Sequence, residues 1–148
     1  MSESRKNSIK VFHHEIIGSR QFERLGEVLS PDLVYRNSFV TSDKDLPWLK
    51  NFLEGLVRSF PDHRMPVEDL LIKGDSVLCK YQFTGTHEGP FIGIPGSGIK
   101  VSVPCIGSYK FGGDLIVEIT VRIDMEKVRQ YMLTATKKAF SKAENDGG

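Results

Sequence analysis

Four side chains spaced by two, Glu118, Thr120, Arg122 and Asp124, carry the densest reactive chemistry in this chain. In an extended strand they share one face, opposite the apolar row Leu115, Val117, Ile119, Val121 and Ile123. A carboxylate beside a guanidinium can move a proton or anchor an anionic oxygen; it can equally be an exposed ion pair that contributes little. Alternation supports both readings and does not choose the face that meets a pocket. Upstream, Val77, Cys79, Tyr81, Phe83 and Gly85 form a second row that ends at His87. Tyr81 and Phe83 are expected to shape an apolar interior, because aromatics at period two are what a packed sheet needs. The pair His13-His14 before Glu15 has the residue types of a metal site. Adjacent helical residues point about 100° apart and no i+4 partner follows, so these histidines are expected at the surface or at a pocket rim, with no metal.

The elements that position these groups follow from periodicity. Ile9, Phe12 and Ile16 repeat at helical spacing, and after a break at Gly18-Ser19 so do Phe22, Leu25, Val28 and Leu29. Ser30-Pro31-Asp32 ends this pair, and Leu33 to Asn37 reads as a short strand. A third helix, capped by Ser42 or Asp43, carries Trp48 near its start and a stripe of Leu49, Leu53, Leu56 and Phe60 until Pro61-Asp62 stops it. The period then changes to two. Strands are expected at about 65–72 and 76–87, then 99–111 and 115–124, with turns at Lys73-Gly74-Asp75 and Gly112-Gly113-Asp114. A closing helix carries Met125, Val128 and Met132. Helices first and an antiparallel sheet afterwards describe an α+β domain with helices on one face of a curved sheet.

A chain of 148 residues is expected to form a single domain over 1–148, ordered over about 6–140, with a lysine-rich tail at 141–148 that frays. Twenty Lys and Arg against nineteen Asp and Glu, scattered and not clustered, leave no footprint for nucleic acid. Cys79 and Cys105 lie far apart without ligand spacing, as expected of buried thiols in a reducing compartment, so a cytoplasmic location is the expectation. No apolar run approaches the length needed to cross a membrane.

The segments Ser59-Phe60-Pro61-Asp62, Gly74-Asp75, Gly85-Thr86-His87 through Phe91 to Gly93-Ile94-Pro95 with Gly98, and Leu115-Ile116-Val117-Glu118 with Asp124 resemble the SnoaL-like polyketide cyclases of the nuclear transport factor 2-like superfamily. The resemblance covers roughly residues 6 to 133. It implies a conical barrel in which three N-terminal helices pack on a strongly curved antiparallel or mixed sheet around a cavity, with a C-terminal helix, usually in a homodimer. It further implies a cofactor-independent cyclase or isomerase of secondary metabolism acting on a polyketide-type small molecule. Asp124 matches the acid/base of that family, and a carboxylate in an apolar cavity would have its pKa raised toward neutrality. Arg122 would anchor an anionic oxygen, and His87 would donate to an enolate or hold the Gly-rich loop. Tyr35, Arg36, Asn37, Trp48, Tyr81 and Phe83 are the expected substrate contacts, with Phe91, Glu118 and Thr120 beside them.

The chain also departs from the family. Tyr35-Arg36-Asn37 stands where members commonly carry a histidine, Thr120 where a tryptophan is frequent, and Gly96-Ser97 where Pro-Thr often follows, giving a looser loop that could act as a lid. The Tyr35, Asn37 spacing is similar to that of limonene-epoxide hydrolases, which makes epoxide opening an alternative. Those enzymes also need an Arg-x-Asp on a middle strand, and 76–87 holds neither residue. A non-catalytic ligand-binding or dimerisation module is the third reading.

Overall fold

The computed structural model describes residues 2–147, with side chains described to residue 141. Helix α1 (Ser2–Lys10) continues into a π-helical turn at Val11–Ile17, and a 3-10 segment follows at Phe22–Glu27. Phe12, His13, Ile16 and Ile17 lie together in the core, on the stripe that Ile9 begins. His13 is therefore not at the surface or rim, as its sequence neighbourhood suggests; it is 1% exposed, while His14 is exposed and accepts a hydrogen bond from the Val67 amide through Nε2.

Strand β1 spans Leu29–Asn37 and so begins earlier than the turn chemistry of Ser30-Pro31-Asp32 implies. Its register against β5 (Leu115–Ile123) shifts between Leu29 and Val34, and Pro31 is tolerated there because β1 lies at the sheet edge, where a missing amide donor costs no ladder bond. Helix α2 (Leu46–Ser59) is capped by Asp45, whose Oδ1 accepts from the Trp48 amide at 3.0 Å; neither Ser42 nor Asp43 serves. Strands β2 (Val67–Lys73), β3 (Ser76–Thr86) and β4 (Lys100–Gly112) complete a five-stranded sheet of order β1-β5-β4-β3-β2. It is mixed, since β1 runs parallel to β5 and the other pairs are antiparallel. Helix α3 (Met125–Gly147) closes the chain. The expectation of a frayed tail falls mainly on residues whose side chains lie outside the described set.

One face of the sheet packs on α2 and the N-terminal segments through Leu49, Leu53, Leu56 and Phe60, against Cys79, Tyr81, Tyr109 and Ile119. The Gly-rich segment 85–98 is tied to the end of α2. Both carboxylate oxygens of Asp62 accept from Thr86, one from its amide and one from its hydroxyl, at 2.7 Å each. The Ser59 carbonyl accepts from the Glu88 and Gly89 amides, and its hydroxyl donates to the Pro90 carbonyl at 2.7 Å. A Cβ at Gly89 would lie 2.2 Å from the Arg58 carbonyl oxygen, so only glycine permits this approach. Two bonds between Phe91 and Ile94 then close a tight turn in which Ile92 takes φ +44° and Gly93 φ +79°.

The buried His13 fixes its own tautomer. Its Nδ1 lies 2.9 Å from the Met65 carbonyl, which only accepts, so Nδ1 carries the proton and Nε2 accepts from the Tyr109 hydroxyl at 2.6 Å. Burial lowers its pKa from 6.5 to about 4. Below pH 6.5 the unfolded chain binds a proton that the folded chain refuses. The stability linked to His13 is therefore complete above about pH 6.5 and falls, by about 3 kcal/mol in all, as pH drops to about 4. The buried His63, also lowered to about 4 by burial, acts in the same direction. Urea unfolding should lose at least ~1 kcal/mol per pH unit between pH 6 and 5; a flat profile there would contradict the neutral buried imidazoles.

Candidate functional site

Between the sheet and its helices lies a cavity walled by four of the five strands, by α2 and α3, and by the connections between them. Strand β1 contributes Tyr35 and Asn37, β3 Tyr81 and Phe83, β4 Val101, Val103 and Cys105, and β5 Val121 and Ile123. Phe52 and Leu56 of α2, Val128, Tyr131 and Met132 of α3, and Phe39, Phe60, Met65 and Phe91 from the connections complete it. No Asp, Glu, Lys, Arg or His is among these lining residues. The polar inventory reduces to three phenols, one amide and one thiol.

Two of those groups form an ordered pair. The Asn37 Oδ1 accepts from the Phe39 amide at 2.8 Å; because an amide N–H only donates, this sets the orientation of the side chain and aims Nδ2 at the Tyr35 hydroxyl, 3.1 Å away. Tyr35 thus accepts from Asn37, and its own proton is free for a ligand. Burial pushes the Tyr35 phenol up to about 12, so it stays protonated and acts as a donor. Trp48 does not line the cavity. It stacks on Tyr35 at 5.8 Å and on Phe52 at 5.1 Å, and so helps to hold the phenol ring in place.

The row that looked most reactive in the sequence faces elsewhere. Parity decides it: Val121 and Ile123 line the cavity, so Thr120 and Arg122 project from the opposite face of β5. In the parallel β1–β5 register Arg36 pairs with Thr120 and Val34 with Glu118, which puts Arg36 on that outer face as well. There Arg36 Nη1 donates to Glu118, and its Nε donates to Asp43 at 2.6 Å. Arg122 is exposed. Arg36, Glu118, Thr120 and Arg122 therefore stand outside the cavity lining.

Asp124 follows the last residue of β5 and is exposed. Its Oδ1 accepts from the Lys127 amide at 3.0 Å and its own amide donates to the Pro104 carbonyl, so it caps the first turn of α3. This replaces the expectation of a carboxylate within an apolar cavity. His87 is fully buried but lies outside the lining; its ring packs at 5.5 Å on Phe60 and its Nδ1 is 2.9 Å from the Ser97 hydroxyl. Its carbonyl accepts from the Ser97 and Gly98 amides, so the residue fastens the Gly-rich loop. Burial lowers its pKa.

The structure therefore brings together Tyr35, Asn37, Tyr81, Phe83 and Phe91 from the sequence-derived set and leaves the charged members outside. Sequence reasoning missed Tyr131, whose hydroxyl accepts from the Ser102 amide at 3.1 Å, and Cys105, whose thiol burial pushes up to about 11. Tyr131 was accessible from the sequence, since it shares the helical face of Val128 and Met132. Among the described residues no group of three His, Cys, Asp or Glu side chains could hold a metal ion, and no helix is long and apolar enough to cross a membrane.

The α+β domain with helices folded over a curved sheet has the nuclear transport factor 2-like fold, and a protein described as nuclear transport factor 2-like from Burkholderia pseudomallei shares it at a TM-score of 0.71 with 10% identity, over 86% of this chain and 95% of that one. Residues 8–131 match the SnoaL-like polyketide cyclase family, and the chain belongs to it. Among solved structures, a candidate polyketide cyclase from Acidithiobacillus ferrooxidans superimposes with a TM-score of 0.77 at 21% identity, covering 91% of this chain and 98% of that one. A candidate SnoaL-like cyclase from Jannaschia has a TM-score of 0.76 at 21% identity, covering 86% and 90%. IdmH of Streptomyces antibioticus, also a candidate polyketide cyclase, has 0.75 at 22%, covering 88% and 96%. No curated protein matches the chain.

The cap geometry makes a specific prediction. Asparagine caps helices as well as aspartate, whereas alanine does not, so Asp124→Asn should leave the thermal midpoint nearly unchanged while Asp124→Ala costs about 1 kcal/mol. Equal losses from both substitutions would show that the charge, and not the cap, is what the position needs.

Proposed function

We propose that this protein is a small-molecule cyclase or isomerase that binds a neutral, largely apolar polyketide-type substrate in the cavity and activates it through Tyr35. The observation that carries this reading is the Tyr35–Asn37 pair within a lining that holds no charged side chain. A fully formed enolate would be poorly stabilised in such a space. The chemistry that fits is an intramolecular ring closure or isomerisation with little charge development, in which Tyr35 donates its hydroxyl proton to a carbonyl or ether oxygen of the substrate. As the new bond forms, the attacking group surrenders its own proton back to the Tyr35 oxygen, so substrate and product have equal mass and the enzyme is unchanged. Asn37 keeps the phenol oriented, and the aromatic wall of Phe60, Phe83 and Phe91 folds the substrate into reacting geometry.

An acid/base role for Asp124, which the family resemblance implies, requires its carboxylate to leave the Lys127 amide and reach the cavity. Epoxide opening by water is less favoured, because the Tyr35–Asn37 pair has no lining carboxylate beside it to take a proton from the water. The two acid/base assignments separate cleanly in a host lacking the gene, complemented with wild type, Tyr35→Phe or Asp124→Asn, with metabolites compared by mass spectrometry. Tyr35→Phe should lower product about 100-fold, the lower end of what one positioned proton donor contributes. Asp124→Asn should restore it, with accumulated compound and product equal in mass. The reverse pattern would return the role to Asp124, and restoration by both variants would leave a non-catalytic binding protein.

A further inference from the structure

Three phenols line the cavity, and their protons are not equally committed. The Tyr131 hydroxyl accepts from the Ser102 amide at 3.1 Å and donates to the Ser102 carbonyl at 3.4 Å, so its proton is taken. The Tyr35 hydroxyl accepts from Asn37 and keeps its own proton for a ligand. Tyr81 is the third. It is 5% exposed, and no nitrogen or oxygen of the described residues bonds its hydroxyl. Yet that oxygen is not one of the sealed side-chain atoms left without a partner, which are Arg5 Nε, His63 Nε2 and His87 Nε2. It therefore meets open space, and the space that Tyr81 lines is the cavity.

The polar group beside it is a poor partner. Tyr81 stands opposite Cys105 in the β3–β4 register. The Cys105 thiol donates to the Val103 carbonyl at 3.6 Å, which leaves its sulfur to face the Tyr81 hydroxyl as a weak acceptor. A ligand oxygen accepts better and displaces that contact. The Tyr81 ring packs edge to face on His13 at 4.6 Å, so its direction is set by packing and not by a hydrogen bond. Burial first, then the neighbouring Tyr109, Cys105, Tyr35 and Cys79, hold the Tyr81 phenol well above its usual value, and it stays protonated as Tyr35 does. We propose that Tyr81 is a second hydrogen-bond donor of the site, so that the cavity takes a neutral molecule with two acceptor oxygens, one on each of the Tyr35 and Tyr81 hydroxyls. This rests on the cavity reading given under Proposed function. It adds a reason why two reacting ends of one molecule meet, since each is anchored from a different strand, β1 or β3.

The cavity offers about 80 Å³ to the centres of water molecules, space for about six groups of that size, which suits small ring ketones as probes. Cyclohexanone and 1,4-cyclohexanedione differ by one carbonyl, and apolar burial alone favours the first. Calorimetric titration of the full chain should show the dione binding at least about fivefold tighter, the scale of one neutral hydrogen bond. Tyr81→Phe should cut that advantage to about twofold, the statistical gain of a symmetric molecule, and leave cyclohexanone nearly unchanged, while Tyr35→Phe should weaken both. Tyr81→Phe should also keep the wild-type thermal midpoint, whereas Tyr109→Phe, which leaves His13 Nε2 without its donor, should lower it. A lowered midpoint in Tyr81→Phe would show that the hydroxyl serves the fold and would overturn the proposal. If cyclohexanone binds and the second carbonyl gains nothing, or the full gain survives Tyr81→Phe, the second donor fails while the cavity reading stands. If neither ketone binds, or if Tyr35→Phe binds both as wild type does, both fail.

Discussion

The contact on which the cavity depends is the fastening of the end of α2 to the exit of β3. Asp62 uses both carboxylate oxygens on Thr86, and Ser59 engages the three consecutive residues Glu88, Gly89 and Pro90. Thr86 holds the Asp62 carboxyl below the usual carboxylate range, a sign that these bonds favour the ionised form. Without this attachment Phe60, Phe83 and Phe91 would belong to three separate pieces of chain. With it they meet edge to face at 5.2 and 5.3 Å and form one wall. The buried His87 and the close approach at Gly89 are further parts of the same joint, which explains why the Gly-rich segment packs tightly although it has little regular structure.

A consequence of that arrangement is a division of labour between the two faces of the sheet. Charged side chains of β1 and β5 are used on the outer face, where water and the Arg36–Asp43 and Arg36–Glu118 pairs satisfy them. The inner face keeps neutral groups whose hydrogen bonds are directional: Asn37 to Tyr35, and the Tyr109 hydroxyl to His13. Burial moves the phenols of Tyr35, Tyr81 and Tyr109 and the thiols of Cys79 and Cys105 upward, and the imidazoles of His13, His63 and His87 downward. The interior is thus chemically quiet at neutral pH, and what reactivity it has comes from orientation.

Most of the fold was legible in the sequence. The two hairpins, the long amphipathic α2 and the closing helix follow from period and turn chemistry, and two of the family-like segments, Ser59 to Asp62 and the Gly-rich stretch, turn out to be bonding partners. Most of what failed did so for tertiary reasons. Ser30-Pro31-Asp32 reads as a turn because proline breaks ladders, yet an edge strand accommodates it. The polar row on β5 looked like a site because its residue types are reactive, but strand alternation gives two faces and no sign; only the placement of α2 and α3 tells which is inside. Asp124 sits one residue past the strand, where the chain turns into α3, and the N-cap demand of a new helix claims its carboxylate. His13 was misplaced because its polar type suggested a wet position, although it stands four residues after Ile9 and three before Ile16 and so falls on the apolar stripe.

The strand order leaves β1 and β2 as the two borders of the sheet, and each is treated differently. Along β1 the segment at Lys44 exchanges two backbone bonds with Tyr35, at 2.8 Å each, and Pro31 removes a donor nearby. Strand β2 has no such cover, and it carries Glu68, Asp69 and Lys73, all exposed, around the exposed Leu71. Another chain that tried to pair there would have to bury three charges for one leucine, a poor exchange in free energy. Pairing with another chain is thus opposed at both borders, at β1 by the covering segment and at β2 by charge.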